Sequence, residues 1–110
     1  MYAEHDMDMA LTEYMNLIQA DWYKWGSDPN NRNQDLPRDP LHITIKRGSK
    51  FYKVVVGSGV HSFVCRKAHD QWKVGDVLKA ASWSAPAKNF IRGNVLTQQY
   101  VNPVRWVDAR

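Results

Sequence analysis

The chain has 110 residues, of which 44% are apolar and 24% are charged, and this composition excludes an intrinsically disordered segment. The length suits one domain with a single hydrophobic core, and no apolar run approaches the ~20 residues that a membrane-spanning helix needs. Cys65 is the only cysteine, so an intrachain disulfide is excluded, and the first ten residues lack the basic and apolar regions of a signal peptide. We therefore expect a soluble, cytoplasmic protein with no membrane partner.

The charge is distributed unevenly along the chain. Residues 1–40 contain three lysines or arginines and eight acidic residues, whereas residues 41–110 contain twelve lysines or arginines and three aspartates. The net charge is therefore −5 in the first segment and +9 in the second. Such an asymmetry favours an anionic partner for the second segment.

Residues 5–25 are predicted to form an amphipathic helix, because their apolar side chains recur at intervals of three and four. The apolar stripe consists of Met7, Leu11, Tyr14, Met15, Ile18, Trp22 and Trp25. We expect this stripe to pack on a sheet. In the alternative, the end of the helix that carries Trp22 and Trp25 binds a partner protein or a second copy of the chain as a homodimer.

Residues 26–40, which are rich in Asn, Asp and Pro, are predicted to be a loop. From residue 41 the apolar period changes to two, which is typical of half-buried strands. The pattern predicts a meander of three strands at 41–47, 50–56 and 60–67. Gly48 and Ser49 suit the two central positions of a type II′ hairpin turn between the first two strands.

The second half of the chain begins with the sequence KVGD at 73–76, which predicts a tight turn that leads into a strand at 77–84. A loop that contains Pro86 follows, and an extended run covers residues 90–101. Within that run, Gly93 and Asn94 are interpreted as a hairpin turn or as a bulge. A last short strand is predicted at 104–107.

These elements together predict an α+β, mostly β fold, in which one N-terminal amphipathic helix accompanies a small antiparallel β-barrel of five or six strands. The chain is expected to be a single domain at 1–110, with the helix at 5–25, the loop at 26–40 and the basic β-barrel at 41–110. The Gly-Asp turn and the Gly-rich hairpins are similar to those of OB, SH3-like and PUA-like barrels. An OB or SH3-like barrel is therefore the expected type, although none of these motifs identifies one family.

Basic and aromatic residues are interleaved in the predicted barrel, as they are on surfaces that bind nucleic acid. We expect cationic groups to neutralise phosphates, aromatic rings to stack on bases and one amide to contact a base edge. The candidate residues are Lys46, Phe51, Lys53, Lys79, Trp83, Lys88, Asn89, Phe90 and Arg92. Alternatively, the aromatic side chains fill the core while the lysines only solvate one face of a strand.

His61, Cys65 and His69 have the spacing of a metal site, but they fall on and just beyond a predicted strand. Four residues of a strand span ~13 Å, whereas the ligands of one zinc ion each lie ~2.0–2.3 Å from it. The sequence also lacks a phosphate-binding loop, a G-x-S-x-G motif and a dinucleotide fingerprint. We therefore predict no metal, no cofactor and no catalytic residue.

The leading hypothesis is a non-enzymatic module that binds single-stranded DNA or RNA with little dependence on sequence. One alternative is a protein-interaction module, such as an inhibitor or adaptor of the kind that a bacteriophage encodes, acting through the helix or a barrel edge. A second alternative is a PUA-like reader that holds one modified base in a pocket.

Overall fold

A computed structural model of the protein describes residues 4–26, 39–88 and 91–106. The fold of this part of the chain is α+β, as the sequence predicts, and consists of one helix and a six-stranded antiparallel sheet. The elements are α1 (Glu4–Gly26), β1 (Ile43–Arg47), β2 (Phe51–Val56), β3 (Gly59–Cys65), β4 (Asp76–Lys79), β5 (Gly93–Asn94) and β6 (Gln99–Tyr100).

The predicted N-terminal helix is confirmed by α1. Its side chains Met7, Leu11, Tyr14 and Ile18 are at most 4% exposed, because their spacing places them on one side of the helix, against the sheet. Burial of each such side chain contributes about 1.5–3 kcal/mol to the free energy of unfolding. No helix among the described residues has the length and apolar character that crossing a membrane requires.

The sheet is a meander in which every strand pairs with its neighbours along the chain, in the order β1-β2-β3-β4-β5-β6. Strands β1 and β6 form its two edges and do not pair with each other, so the sheet is open in the described part of the chain. Closure into a barrel is therefore not confirmed. The three-stranded meander that the sequence predicts corresponds to β1, β2 and β3 with boundaries shifted by one or two residues.

Both faces of the sheet are covered by apolar side chains. Val54, Val64 and Val77 point towards α1 and complete the main core. On the opposite face, Phe63 and Leu78 lie in a second cluster that also contains Cys65 and Trp72. Because successive residues of a strand alternate between faces, the same strands β2, β3 and β4 contribute to both clusters.

A β-bulge in β3 gives the helix a polar anchor. The pairing of β2 with β3 shifts between Val54↔Ser62 and Val55↔Val60, so that His61 is the extra residue. The Tyr14 hydroxyl and the Ser62 hydroxyl share a hydrogen bond of 2.9 Å, and His61 Nδ1 lies 2.9 Å from the Ser62 oxygen. His61 Nε2 donates to the carbonyl of Arg105 at 2.6 Å, since a carbonyl can only accept. This chain of hydrogen bonds joins α1, β3 and residues 101–106, which we call the C-terminal segment.

The structure corrects four turn and strand predictions. Gly48 is not in the left-handed region of φ, and three residues separate β1 from β2, so the two-residue type II′ turn is wrong. The strand predicted at 77–84 ends at Lys79, because Ala80 bridges to Pro86 and the chain bends between them.

Gly93 and Asn94 form β5 itself, whereas the turn that follows covers residues 95–98. A Cβ on Gly93 would lie 2.9 Å from the Tyr100 Cα and 2.6 Å from the Gln99 carbonyl, so only glycine allows β6 to approach this closely. Residues 104–106 are not a strand. Residues 27–38 of the loop predicted at 26–40, and residue 107, lie outside the described residues.

The predicted turn at 73–76 is confirmed, and the side chain of Asn94 holds it against β5. The Asn94 amide nitrogen donates to the Val74 carbonyl and to Asp76 Oδ1, both at 3.0 Å. Asp76 Oδ2 accepts from the Lys73 backbone N–H at 2.8 Å. At Gly75, φ is +93° and an added Cβ would lie 2.7 Å from Asn94 Oδ1, so the turn requires glycine on both grounds.

We predict that Asn94→Ala lowers the free energy of unfolding by about 1–3 kcal/mol, because the buried Asp76 carboxylate loses a hydrogen-bond donor. The Asn94 side-chain oxygen also accepts from the backbone N–H groups of Leu96 and Thr97, at 2.9 and 3.2 Å. Urea unfolding measures the change. The matched variant Gln99→Ala, at an exposed position of β6, should shift the midpoint little, and an equal loss in both variants would contradict this role of Asn94.

Candidate nucleic-acid interface

Two lysines lie directly opposite each other on the sheet face that α1 does not cover. Lys46 on β1 pairs with Lys53 on β2, and Lys53 pairs in turn with Phe63 on β3. Neither lysine has an ion pair with any residue in 4–26, 39–88 or 91–106. Like charges at directly opposite positions are destabilising by roughly 0.2–1 kcal/mol, so an anion bound between them would relieve a cost that the free protein carries.

A tight loop at residues 81–85 follows β4 and carries Trp83. The backbone N–H groups of Ala81 and Ser82 both donate to the Ala85 carbonyl, at 3.0 and 3.1 Å. The Ser82 hydroxyl oxygen accepts from the backbone N–H groups of Ser84 and Ala85. At the end of the loop, the Ala87 N–H donates to the Lys79 carbonyl at 2.7 Å. These bonds order the backbone of the loop that carries Trp83.

The indole ring of Trp83 lies over the lysine pair. Its centroid is 4.6 Å from Lys53 Nζ and 5.3 Å from Lys46 Nζ, both within the range of a cation–π interaction. Trp83 is nevertheless 48% exposed. The loop, β1 and β2 therefore present an accessible aromatic ring together with two ammonium groups at one point.

A cleft of about 440 Å³ opens beside this pair, between the β1–β2 hairpin and the loop at 81–85. Its walls are formed by Lys46, Arg47, Gly48, Ser49, Lys50, Phe51, Lys53, Phe63 and Ser84. Lysine and arginine side chains form its rim, and two aromatic rings form its apolar part. We refer to Lys46, Lys53, Trp83, Phe51 and Phe63 as the basic-aromatic surface.

The aromatic part of this surface is supported from below by the second apolar cluster. The Phe51 ring packs edge-on against Phe63 at 5.9 Å and against Trp72 at 5.6 Å between centroids. Lys88 Nζ lies 5.9 Å from the centroid of Trp72, which is only 4% exposed. Lys88 thus adds a positive charge beside the basic-aromatic surface. Its aromatic neighbour Trp72, however, is buried and has little surface on which a base could stack.

The structure brings together four of the predicted residues, Lys46, Phe51, Lys53 and Trp83, with Lys88 at the margin. The structure separates Lys79 from them, because Lys79 pairs with Ser62 and so lies on the side of the sheet that faces α1. The predicted grouping of Lys79 with Trp83 requires Leu78 to pack under the helix, whereas Val77 does so.

Other predicted residues fall elsewhere. Arg92 is half-buried, and its backbone joins β4 through the Val77 carbonyl at 2.7 Å. Asn89 and Phe90 lie outside the described residues, as does the side chain of Trp25. The binding roles predicted for these four residues stay predictions.

The predicted partner-binding residue Trp22 is engaged within the protein. Its ring packs edge-on against Trp106 at 4.7 Å, and its indole N–H donates to the Asp39 carbonyl at 2.9 Å. Asp21 on the same turn accepts from the Trp106 backbone N–H at 2.8 Å and pairs with Arg105 at 3.4 Å. This end of the helix therefore holds the C-terminal segment in place.

Comparison with known proteins places the chain in a family without giving it a function. Residues 3–106 match a family of unknown function, DUF7717. The protein belongs to this family. No curated protein and no solved structure matches the chain. The family match covers α1 and all six strands, so the basic-aromatic surface lies entirely within it, and any function for this DUF7717 member has to be inferred from geometry.

Phe63, Lys50 and Ser84 are parts of the cleft that the sequence analysis of this DUF7717 protein missed. Phe63 could have been found, because the predicted hairpin of residues 50–56 and 60–67 already places it near Lys53. Ser84 could not, because its position depends on the fold of the loop at 81–85.

Of the three residues with metal-like spacing in this DUF7717 protein, His61 is separated from Cys65 and His69. His61 faces α1, whereas Cys65 belongs to the second apolar cluster, with His69 Nδ1 3.9 Å from its sulfur. Burial raises the pKa of the Cys65 thiol to about 11, so it stays protonated near neutral pH and is a poor nucleophile and ligand. Within the described ranges, no three His, Cys, Asp or Glu side chains are grouped as metal ligands.

Proposed function

We propose that this protein binds single-stranded nucleic acid on the basic-aromatic surface and catalyses no reaction there. The observation that carries the proposal is the half-exposed Trp83 ring, held over the opposed pair Lys46 and Lys53 at 5.3 and 4.6 Å. An exposed aromatic ring beside unpaired cations is the combination that single strands recognise, since their bases can stack while their phosphates are neutralised.

In the proposed mechanism, the lysines bind phosphates and the tryptophan binds a base. Lys46 and Lys53 neutralise adjacent phosphates and release counterions, which supplies most of the affinity. Trp83 stacks on a base, which is worth ~1–3 kcal/mol and tolerates any base because every base has a π-face. Binding on these terms depends little on sequence and strongly on salt.

The proposed surface can be compared with that of OB modules, although the open meander of this sheet differs from their Greek-key barrel. In OB folds, an antiparallel strand face and its adjoining loops bind oligonucleotides. The surface proposed here has the same parts, with β1, β2 and β3 as the face and residues 81–85 as the loop. As a further part of the proposal, the protein acts in the cytoplasm, which its buried and free Cys65 favours.

Trp83→Ala tests the stacking part of this proposal. The variant should bind a labelled single-stranded DNA of about 12 nucleotides roughly 5- to 100-fold more weakly, since one stacking contact is lost. Fluorescence anisotropy at about 50 and 200 mM salt measures both the affinity and its salt dependence. If Lys46 and Lys53 neutralise one phosphate each, the wild-type affinity should fall about 7-fold between these concentrations.

Tyr23→Ala is the matched control, because Tyr23 is also an exposed aromatic residue, 42% accessible, but lies on α1. It should bind as the wild type does. Absence of binding by the wild-type protein at low salt would refute the proposed function, and equal loss in both variants would refute the stacking role of Trp83.

A further inference from the structure

The cleft beside Trp83 has the volume of a ligand pocket. Its volume of about 440 Å³ falls within the ~300–1,000 Å³ of pockets that hold small molecules. It ends at the β1–β2 hairpin on one side and at Ser84 on the other. A cleft of this volume, bounded on two sides and open to solvent, has room for one nucleotide.

Polar and apolar groups are arranged in the cleft to suit the two halves of a nucleotide. The half-buried Phe51 ring supplies the accessible apolar surface, and the buried Phe63 ring supports it edge-on, with centroids 5.9 Å apart. The ammonium groups belong to side chains at the rim, on Lys46, Lys50 and Lys53. A planar, largely apolar base therefore fits against the Phe51 ring, while its charged phosphate stays at the rim among the lysines.

The hairpin wall of the cleft is fixed by a side chain from outside it. Arg66, just beyond β3, donates from Nη1 to the carbonyl oxygens of Gly48 and Ser49, at 3.3 and 3.4 Å. The backbone N–H of Arg66 also donates to the Lys50 carbonyl at 2.8 Å. Because three residues of the hairpin are held in this way, the wall is formed before binding, which lowers the ordering cost of a ligand.

From this geometry we infer that the cleft holds one nucleotide of the strand, with its base unstacked from its neighbours and inserted between the β1–β2 hairpin and the loop at 81–85. The inference rests on the proposed function and adds that recognition is centred on a single extruded base. A base that is paired within a duplex cannot enter without first being unpaired and unstacked, which costs a few kcal/mol. The protein should therefore discriminate against duplex of the same length and charge.

Filling the cleft tests this inference. Ser84→Trp places a bulky side chain at the cleft wall without changing any charge and should weaken binding of single-stranded DNA of about 12 nucleotides roughly tenfold or more. Ser58→Trp makes the same exchange at the exposed turn between β2 and β3, outside the cleft, and should bind as the wild type does. A duplex of the same sequence should bind the wild-type protein roughly tenfold more weakly than the single strand at equal salt.

A second readout uses the wild-type protein alone, so it does not depend on how the variants fold. An oligonucleotide that carries one photoreactive base is cross-linked, and the attached peptide is identified by mass spectrometry. Attachment at Phe51 is expected, whereas attachment at Trp83 alone would agree with surface binding but not with the cleft. If Ser84→Trp binds like the wild type, or if the cross-links fall elsewhere, the single-nucleotide cleft is refuted while surface binding survives. If the wild type binds no single strand at all, the proposed function itself is refuted.

Discussion

Lys46→Glu should weaken binding of single-stranded DNA by about tenfold or more without lowering the stability of the protein. A hydrogen bond to a charged group contributes about 1.5–3 kcal/mol, and the new carboxylate also repels the phosphate. In the free protein, however, the carboxylate would lie opposite Lys53 and replace a like-charge pair with an attractive one. The affinity for DNA should thus fall while the free energy of unfolding does not. A lysine with only a structural role would not change the affinity in this way.

Anisotropy titrations and urea unfolding of the same samples measure the two quantities. Lys24→Glu is the matched control, since it changes the net charge equally but lies in the last turn of α1. The double variant Lys46→Glu/Lys53→Glu should bind least of all and should lose the gain in stability, because like charges again face each other. If Lys24→Glu weakens binding as much as Lys46→Glu does, the overall charge and not the basic-aromatic surface binds the strand.

Tyr14→Ala should lower the free energy of unfolding by about 3–5 kcal/mol, the range for removing a large side chain from a core. Tyr14 is 1% exposed, and its ring stacks on Tyr100 with centroids 5.8 Å apart. Its hydroxyl is also the helix end of the hydrogen bonds that pass through Ser62 and His61. Burial raises the pKa of this hydroxyl far above its ordinary value, so it remains protonated at any ordinary working pH.

Two further variants divide this effect into its parts. Tyr14→Phe keeps the ring and removes only the hydroxyl, so it should cost about 1 kcal/mol, the typical net contribution of one hydrogen bond. Tyr23→Ala removes an exposed tyrosine from the same helix and should stay within about 0.5 kcal/mol of the wild type. Urea unfolding followed by circular dichroism measures all three. A small effect of Tyr14→Ala would mean that α1 is not anchored to the sheet through this residue.

The helix and the first hairpins could be predicted because their signals are local. The apolar residues Met7, Leu11, Tyr14 and Ile18 recur at three and four residues, which indicates a helix. The glycine at position 57 lies between two runs of alternating apolar residues, which indicates a hairpin turn. By contrast, Gly93 and Asn94 have the composition of a turn. They form a strand because β6 returns close to the Gly93 backbone, a contact with no local signal in the sequence.

The site was harder to predict because both faces of the sheet are apolar. In β4, Val77 packs under α1 and Leu78 packs in the second cluster, so alternation alone could not tell which face is opposite the helix. Because of that ambiguity, Lys79 was grouped with Lys46 and Lys53, whereas it lies on the face of the sheet that is directed towards α1. Trp83 and Lys46 are far apart in sequence, and their meeting depends on how β4 ends. The types of residue in the site were therefore predictable, but their grouping was not.

The loop at residues 81–85 closes on itself, and this gives the protein an exchangeable part. Its hydrogen bonds run within the loop and to its own base at Lys79, while Pro86 returns the chain to Ala80. The side chain at its tip can therefore be replaced without disturbing the pairing of the sheet. The residues that contact the ligand are therefore different from those that stabilise the sheet. New ligand preferences could be selected by varying position 83 and its neighbours alone.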